Sequence, residues 1–154
     1  ASFEMNHAPE DRYKGDGKNS LFDKKKAIPD VWNLNWLGFI NSPLEVEMEF
    51  EKPTDISYLA LSLWQNIGAR FFPPQEVKIW TRPDKNQDWK LSKSYRPQPL
   101  RKEDNSFLRQ VEIPYAEKNV LYLKMEAKPL AKLPSWHGAA GNKAWLMVDE
   151  IVIN

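Results

Sequence analysis

Residues suited to catalysis are scarce in this chain. It has no cysteine and two histidines, His7 and His137. Ser135 lies two residues from His137, but a catalytic base normally reaches its nucleophile from a separate segment, and no third partner is evident. A histidine-rich metal site is also unavailable from two histidines. We therefore predict a protein without catalytic activity of its own.

Residues suited to recognition are plentiful. Trp136 and His137 begin a loop of small residues that runs directly into an apolar stretch, 144–153. A stretch so apolar predicts a strand buried on both faces, which would fix the loop in place. Glycines in the loop allow its backbone to bend and present Trp136 and His137 outward.

Composition predicts a single all-β domain. The 154 residues are enough for one core. The chain has 12 prolines and 6 glycines, and the prolines lie mainly between the apolar runs, where strand connections are expected. A net charge of +1 gives no long-range field for nucleic acid or an anionic membrane, so we expect neither partner. No apolar run is long enough to span a membrane and no export signal begins the sequence, so we expect no membrane insertion. The absence of cysteine leaves the compartment open.

Alternation of apolar and polar residues places the strands. The clearest case is 44–51, where four glutamates alternate with apolar residues and are best explained as the solvated face of a strand. Residues 1–12 are expected to form a frayed lead or a short first strand, ahead of the domain proper at 13–154. Four tryptophans within predicted strands are expected in the core: Trp64, Trp80, Trp89 and Trp145. The predicted strands are 36–40, 44–51, 56–64, 77–81, 89–94, 107–113, 119–125 and 144–153.

The lengths of the connections divide the molecule into two ends. If consecutive strands are antiparallel, every second connection lies at the same end of a sandwich. The short connections then share one end: 52–55, 82–88 and 114–118. The long ones share the other, which we call the long-loop end: 28–43, 65–74, 95–105 and 126–142. The long connections carry the aromatic and arginine residues, so this end is the expected binding surface.

Several stretches of the sequence resemble the discoidin, or coagulation factor 5/8 type C, superfamily, in the subgroup related to family 32 carbohydrate-binding modules. They are "NSLFDKKKA", "WLGF" with the alternating strand after it, "LWQNIGARFFPPQEVKIW" and "LPSWHGAAGNKAWLMVDEIVIN". The resemblance implies a jelly-roll β-sandwich of about eight strands, in a five-stranded and a three-stranded sheet. It also implies a non-catalytic module that belongs to a secreted bacterial glycoside hydrolase.

The same resemblance implies a structural calcium ion in many members. The matching positions here are Asp23 and Glu150, and no other cofactor is expected. Lys24 stands where the family has glycine, and no threonine follows, so the match to the calcium motif is incomplete. A lysine-rich turn also opposes a dication electrostatically.

Sugar recognition needs flat apolar faces and planar polar groups, which the long-loop end supplies. We expect a galactose-type or N-acetylhexosamine-type glycan as the ligand, bound outside the cell, in the periplasm or at the surface of a bacterium. The alternative is a structural or docking module that packs against a catalytic domain of the same parent chain. The residues predicted to bind the ligand are Trp32, Asn33, Trp36, Arg70, Phe71, Arg96, Trp136 and His137.

Overall fold

The protein is a sandwich of two antiparallel sheets. The computed structural model describes residues 2–22, 36–105 and 107–154. Two 3₁₀ helices lie near the start, Asp11–Tyr13 and Gly17–Leu21. The nine strands in the described ranges are β1 (Ser2–Met5), β2 (Leu37–Phe39), β3 (Leu44–Ile56), β4 (Leu59–Gln65), β5 (Glu76–Arg82), β6 (Lys90–Tyr95), β7 (Phe107–Ile113), β8 (Glu117–Lys128) and β9 (Leu146–Ile153).

Sheet order agrees with the predicted fold class. One sheet has five strands in the order β1-β3-β8-β5-β6, and the other has four in the order β2-β9-β4-β7. All eight strands predicted from the sequence are present, and the prediction of an all-β sandwich is confirmed. The second sheet has four strands where the resemblance implied three. Of the two alternatives for the start of the chain, the structure has a strand, since β1 pairs with β3.

The core lies between the sheets and follows the alternation. In β3, Leu44, Val46 and Met48 face inward and are 0–4% exposed, while the glutamates between them face out. The expected burial of the last strand is also observed, because Leu146 to Ile151 are all buried. Among the described residues, no helix is long and apolar enough to cross a membrane.

Strand registers confirm the two ends. Leu44 at the start of β3 pairs with Ala127 near the end of β8, and Glu76 at the start of β5 pairs with Lys128. The other sheet has the same polarity, with Gln65 paired to Phe107. The connections 40–43, 66–75, 96–105 and 129–145 therefore form the long-loop end. The opposite end, which we call the short-turn end, has the connections 57–58, 83–89 and 114–116.

Two of the four tryptophans expected in the core lie elsewhere. Val77 and Ile79 are the inward-facing residues of β5, so Trp80 projects from the outer face of the five-stranded sheet and is partly exposed. Trp89 precedes β6 and is also only partly buried. Long cationic side chains cover both rings: Lys124 Nζ lies 4.5 Å from the centroid of Trp80, and Arg82 Cζ lies 4.2 Å from that of Trp89. Trp64 is buried as expected and Trp145 is partly buried.

Candidate functional site at the long-loop end

Two connections of the long-loop end are joined by backbone hydrogen bonds. The amide of Trp145 donates to the carbonyl of Arg70 at 2.8 Å, and the amide of Phe72 donates to the carbonyl of Trp145 at 3.0 Å. Connection 66–75 therefore pairs with the end of connection 129–145 almost as strands do. This pairing fixes Arg70 beside the loop that carries Trp136 and His137.

His137 holds these two connections together. Its Nδ1 accepts a hydrogen bond from the amide of Ala139 at 2.9 Å, so its proton lies on Nε2. Nε2 then donates to the carbonyl of Ile67, 2.7 Å away, which also accepts from the amide of Arg70 at 3.1 Å. Because both ring nitrogens are bonded within the protein, His137 positions the loops around Arg70.

Trp136 is anchored on one side and accessible on the other. Its ring packs against Phe72 with centroids 6.2 Å apart, next to a small cluster that includes Leu100, Leu133 and Ala144. The side chain nevertheless remains partly exposed. An indole held this way offers a rigid apolar surface to a ligand.

Arg70 is exposed and has an uncommon backbone conformation. Its φ is 67°, in the left-handed region where the backbone of any residue other than glycine is strained. Within the described ranges, its guanidinium has no hydrogen-bond or ion-pair partner. Such strain is often retained where a side chain has a function, so Arg70 is the strongest ligand-contacting candidate at this end.

Two predicted ligand residues are buried instead. Trp36 is 1% exposed and Phe71 is 2% exposed, and both lie in a cluster with Tyr13, Trp64 and Met147. Arg70 ends a turn and faces solvent, whereas Phe71 forms isolated bridges with Asn66 and Trp145 and faces inward. The prediction that Trp36 and Phe71 contact the ligand is therefore wrong, because neither ring is accessible.

Arg96 is at the long-loop end but is tethered. Its Nε lies 3.5 Å from Glu76 Oε2, and Lys78 Nζ lies 3.5 Å from the other oxygen of that carboxylate, Oε1. Partial desolvation raises the pKa of Glu76, but the hydrogen bond from Ser94 and the charges of Lys78 and Arg96 outweigh it and lower that pKa overall. Arg96 remains exposed at the end of β6, with its charge partly neutralised.

The remaining predicted site residues fall partly outside the described ranges. Trp32, Asn33 and Asp23 lie there. Glu150 lies in β9, 5% exposed, beside Ser62 of β4. Within the described ranges, no three acidic or histidine side chains are grouped closely enough to hold a metal ion. Calcium takes six to eight oxygen ligands, so Glu150 alone does not make a site and the calcium ion stays a prediction.

A chelator experiment tests the calcium prediction. An ion bound only by the folded state stabilises it by mass action, so removing the ion should lower the Tm. At a free calcium concentration about 100 times the Kd, the loss would be about 2.7 kcal/mol. Glu150→Gln should then have a Tm that no longer responds to calcium. Identical melting of the unaltered protein with excess calcium and with chelator would remove the ion from the description.

The sequence did not single out several residues that shape this end. Trp145 packs edge-on against Tyr13, with ring centroids 5.2 Å apart, and Tyr13 in turn lies against Gly38, where any Cβ would meet Tyr13 Cβ at 2.8 Å. Gly38 within a strand was the available signal of this close approach. A small apolar hollow of about 130 Å³ also lies here, lined by Phe72, Pro73, Pro74, Pro97, Pro99, Leu100, Leu130, Lys132 and Pro134.

The two sheets, their order and the paired loops define a discoidin-like β-sandwich, which confirms the resemblance at the level of the fold. No protein-family model matches the chain, and no curated protein matches its sequence. Many solved structures show the likeness.

One is the F5/8 type C domain of a Bacteroides fragilis protein, with a TM-score of 0.51 and 9% identity over 99% of this chain and 89% of that one. A second is CBM32-3 from a family 31 glycoside hydrolase of Clostridium perfringens, with a TM-score of 0.57 and 16% identity over 98% of this chain and 89% of that one. A third is chitosan-binding module 1 derived from a chitosanase/glucanase of Paenibacillus sp. IK-5, with a TM-score of 0.50 and 9% identity over 99% and 93%. At these identities the likeness establishes the shared fold.

Proposed function

We propose that this chain is a non-catalytic carbohydrate-binding module whose ligand lies against Arg70 and Trp136. The observation that carries the proposal is the exposed, strained Arg70, which hydrogen bonds hold beside the loop that carries the partly exposed Trp136. Two of the structures that share the fold are modules of enzymes that process carbohydrates, which supports the same class of function.

The two side chains have complementary chemistry for a sugar. Trp136 offers a flat apolar surface to the C–H face of a pyranose ring. The Arg70 guanidinium presents several N–H donors in a fixed plane, which suits neighbouring hydroxyl oxygens or an N-acetyl carbonyl. His137 supports this arrangement from beneath, and Arg96 lies at its margin.

In this proposal the module brings a glycan-processing protein to its substrate. The setting would be outside the cytoplasm of a bacterium, either secreted, periplasmic or at the cell surface. The origin of two similar structures in bacterial carbohydrate-active enzymes supports that setting. Galactose-type and N-acetylhexosamine-type glycans are the first ligands to screen.

Substitutions at Arg70 separate binding from folding. Arg70→Ala should reduce glycan affinity at least about tenfold, since it removes charge-assisted hydrogen bonds. It should leave the free energy of unfolding nearly unchanged, because alanine keeps the same strained backbone. Arg70→Gly should lose affinity equally but gain about 1 kcal/mol of stability, because glycine relieves the left-handed strain. Glycan-array screening followed by calorimetry measures the affinity, and urea unfolding measures the stability.

The control is Arg101→Ala at the same end, because Arg101 is paired with Glu103 and Asp104. It should keep the affinity of the unaltered protein. Unchanged binding by both Arg70 variants and by Trp136→Ala would contradict the proposed site.

The docking alternative is favoured by one observation. Phe107 and Leu108, at the start of β7 and hence at the long-loop end, are 42% and 43% exposed. Exposed apolar side chains on an edge strand could pack against a neighbouring domain. Absence of binding to any glycan, together with loss of association with the parent catalytic domain in Phe107→Ser and Leu108→Ser, would favour this alternative.

A further inference from the structure

Charge is distributed unevenly between the two ends of the sandwich. The four connections of the long-loop end contain six lysine and arginine residues and two carboxylates, a net of +4, although the whole chain carries +1. The first segment at this end, 6–14, has equal numbers of cationic and acidic residues. The connections of the short-turn end have a net charge of −1. Among the described connections, those around the candidate site are therefore the electropositive ones.

Most of this positive charge is not neutralised locally. The two carboxylates, Glu103 and Asp104, both contact Arg101, at 3.6 and 3.3 Å. Lys143 donates to the neutral amide oxygen of Asn41 at 2.8 Å. Within the described ranges, no carboxylate lies within ion-pair distance of the four remaining exposed cations at this end, which are Arg70, Lys102, Lys132 and Lys143.

Two of these cations, Lys132 and Lys143, lie close to residues that contact Trp136 or bond to Arg70. Lys132 lines the apolar hollow that has Phe72 in its wall, and Phe72 packs against Trp136. Lys143 lies two residues before Trp145, whose amide bonds to the carbonyl of Arg70. A ligand on Trp136 and Arg70 would thus lie at the same end of the sandwich as both lysines.

We propose that the ligand of the long-loop end is an acidic glycan, one whose sugar units carry carboxylate or sulfate groups. This inference rests on the proposed function and names its class of ligand. Arg70 would pair with the acidic group in bidentate geometry while the sugar ring lies on Trp136, and Lys132 and Lys143 would add attraction that salt screens. The same positive charge repels a cationic polymer, so we do not expect chitosan to bind here. One of the similar structures is named as a chitosan-binding module, so this chain should differ from it in ligand.

A glycan fits these observations better than nucleic acid. The net charge of the chain is only +1, and nucleic-acid surfaces usually need a much more basic domain. Among the described connections, the net positive charge lies at the long-loop end, which also carries the partly exposed indole of Trp136, and this arrangement matches one or a few acidic sugar units.

The test compares ligands that differ only in charge. Oligogalacturonate is compared with its methyl ester, and a chondroitin sulfate oligosaccharide with its desulfated form, so that carboxylate and sulfate are assessed separately. At least one acidic form should bind at least about tenfold more tightly than its uncharged partner, and raising the salt from about 0.05 M to about 0.5 M should remove most of that difference. A chitosan oligosaccharide and a single-stranded oligothymidylate serve as cationic and nucleic-acid probes.

A pair of double variants with equal charge change supplies the control. Lys132→Glu with Lys143→Glu should lower affinity for the acidic form at least about tenfold and leave affinity for the uncharged form within about twofold. Lys90→Glu with Lys118→Glu makes the same change at exposed positions of the short-turn end and should leave both affinities unchanged.

The outcomes distinguish this inference from the function on which it rests. Equal binding of charged and uncharged forms, with Arg70→Ala still defective, would overturn the acidic ligand and keep the carbohydrate-binding module. Binding of no glycan would overturn both. Tighter binding of oligothymidylate than of any glycan, or equal loss in the two double variants, would also overturn the acidic glycan.

Discussion

Phe71→Ala should lower the free energy of unfolding by about 3–5 kcal/mol, the range for a fully buried phenylalanine truncated to alanine. The Phe71 ring is 2% exposed and lies 4.9 Å from the ring of Trp64 and 6.1 Å from that of Tyr13. Its removal leaves a cavity that rigid neighbouring rings cannot fill. Urea unfolding followed by tryptophan fluorescence measures the change.

The neighbouring residue is the control for this prediction. Arg70→Ala, one position earlier in the sequence, should cost almost nothing in stability, because its side chain is exposed and unpaired within the described ranges. Phe71→Leu should recover more than half of the loss, since leucine fills much of the volume. A loss below about 1 kcal/mol for Phe71→Ala would show that the ring is not in the core.

His137→Ala should lower the free energy of unfolding by about 3 kcal/mol, because the change removes hydrogen bonds to two part-buried backbone groups. These groups are the carbonyl of Ile67 and the amide of Ala139. Glycan affinity should fall about tenfold as well, because the carbonyl of Ile67 also anchors the amide of Arg70. Calorimetry and urea unfolding on the same samples measure both effects.

His137→Gln tells a supporting role from direct contact. Glutamine can donate to the carbonyl of Ile67 but cannot reproduce both ring contacts, so it should restore part of the stability and part of the affinity together. Loss of affinity with full stability in His137→Ala would instead indicate that the imidazole contacts the ligand itself.

Much of the fold could be predicted from local pattern. The alternation of 44–51 predicted strand β3, and the apolar run at 144–153 predicted the buried strand β9. The lengths of the connections were sufficient to predict the end at which Arg70 and Trp136 meet, because antiparallel strands reverse the chain at each connection. Hydrogen bonds between the two connections that carry these residues confirm that both lie at that end.

Which aromatic rings are accessible could not be predicted in the same way. Trp36 and Phe71 were expected to be exposed and are buried, whereas Trp80 and Trp89 were expected in the core and lie under cations on the outer face. An aromatic residue in the sequence indicates only that its ring tends to be covered. Whether the core or a long cationic side chain covers the ring depends on packing partners that are distant in sequence. Likewise, the internal bonding of His137 depends on the carbonyl of Ile67, seventy residues away in sequence.

The position of β9 has a consequence for how the chain is made. Although it follows the other eight described strands in sequence, it lies between β2 and β4, and its Leu146 pairs with Phe39, far back in the sequence. During synthesis, the edges of β2 and β4 that pair with β9 therefore stay unpaired until Ile153 has left the ribosome. This long-range pairing favours slow folding, and the unpaired edges can associate with other nascent chains in the meantime. A truncation that removes β9 would separate β2 from β4 and prevent the sandwich from closing.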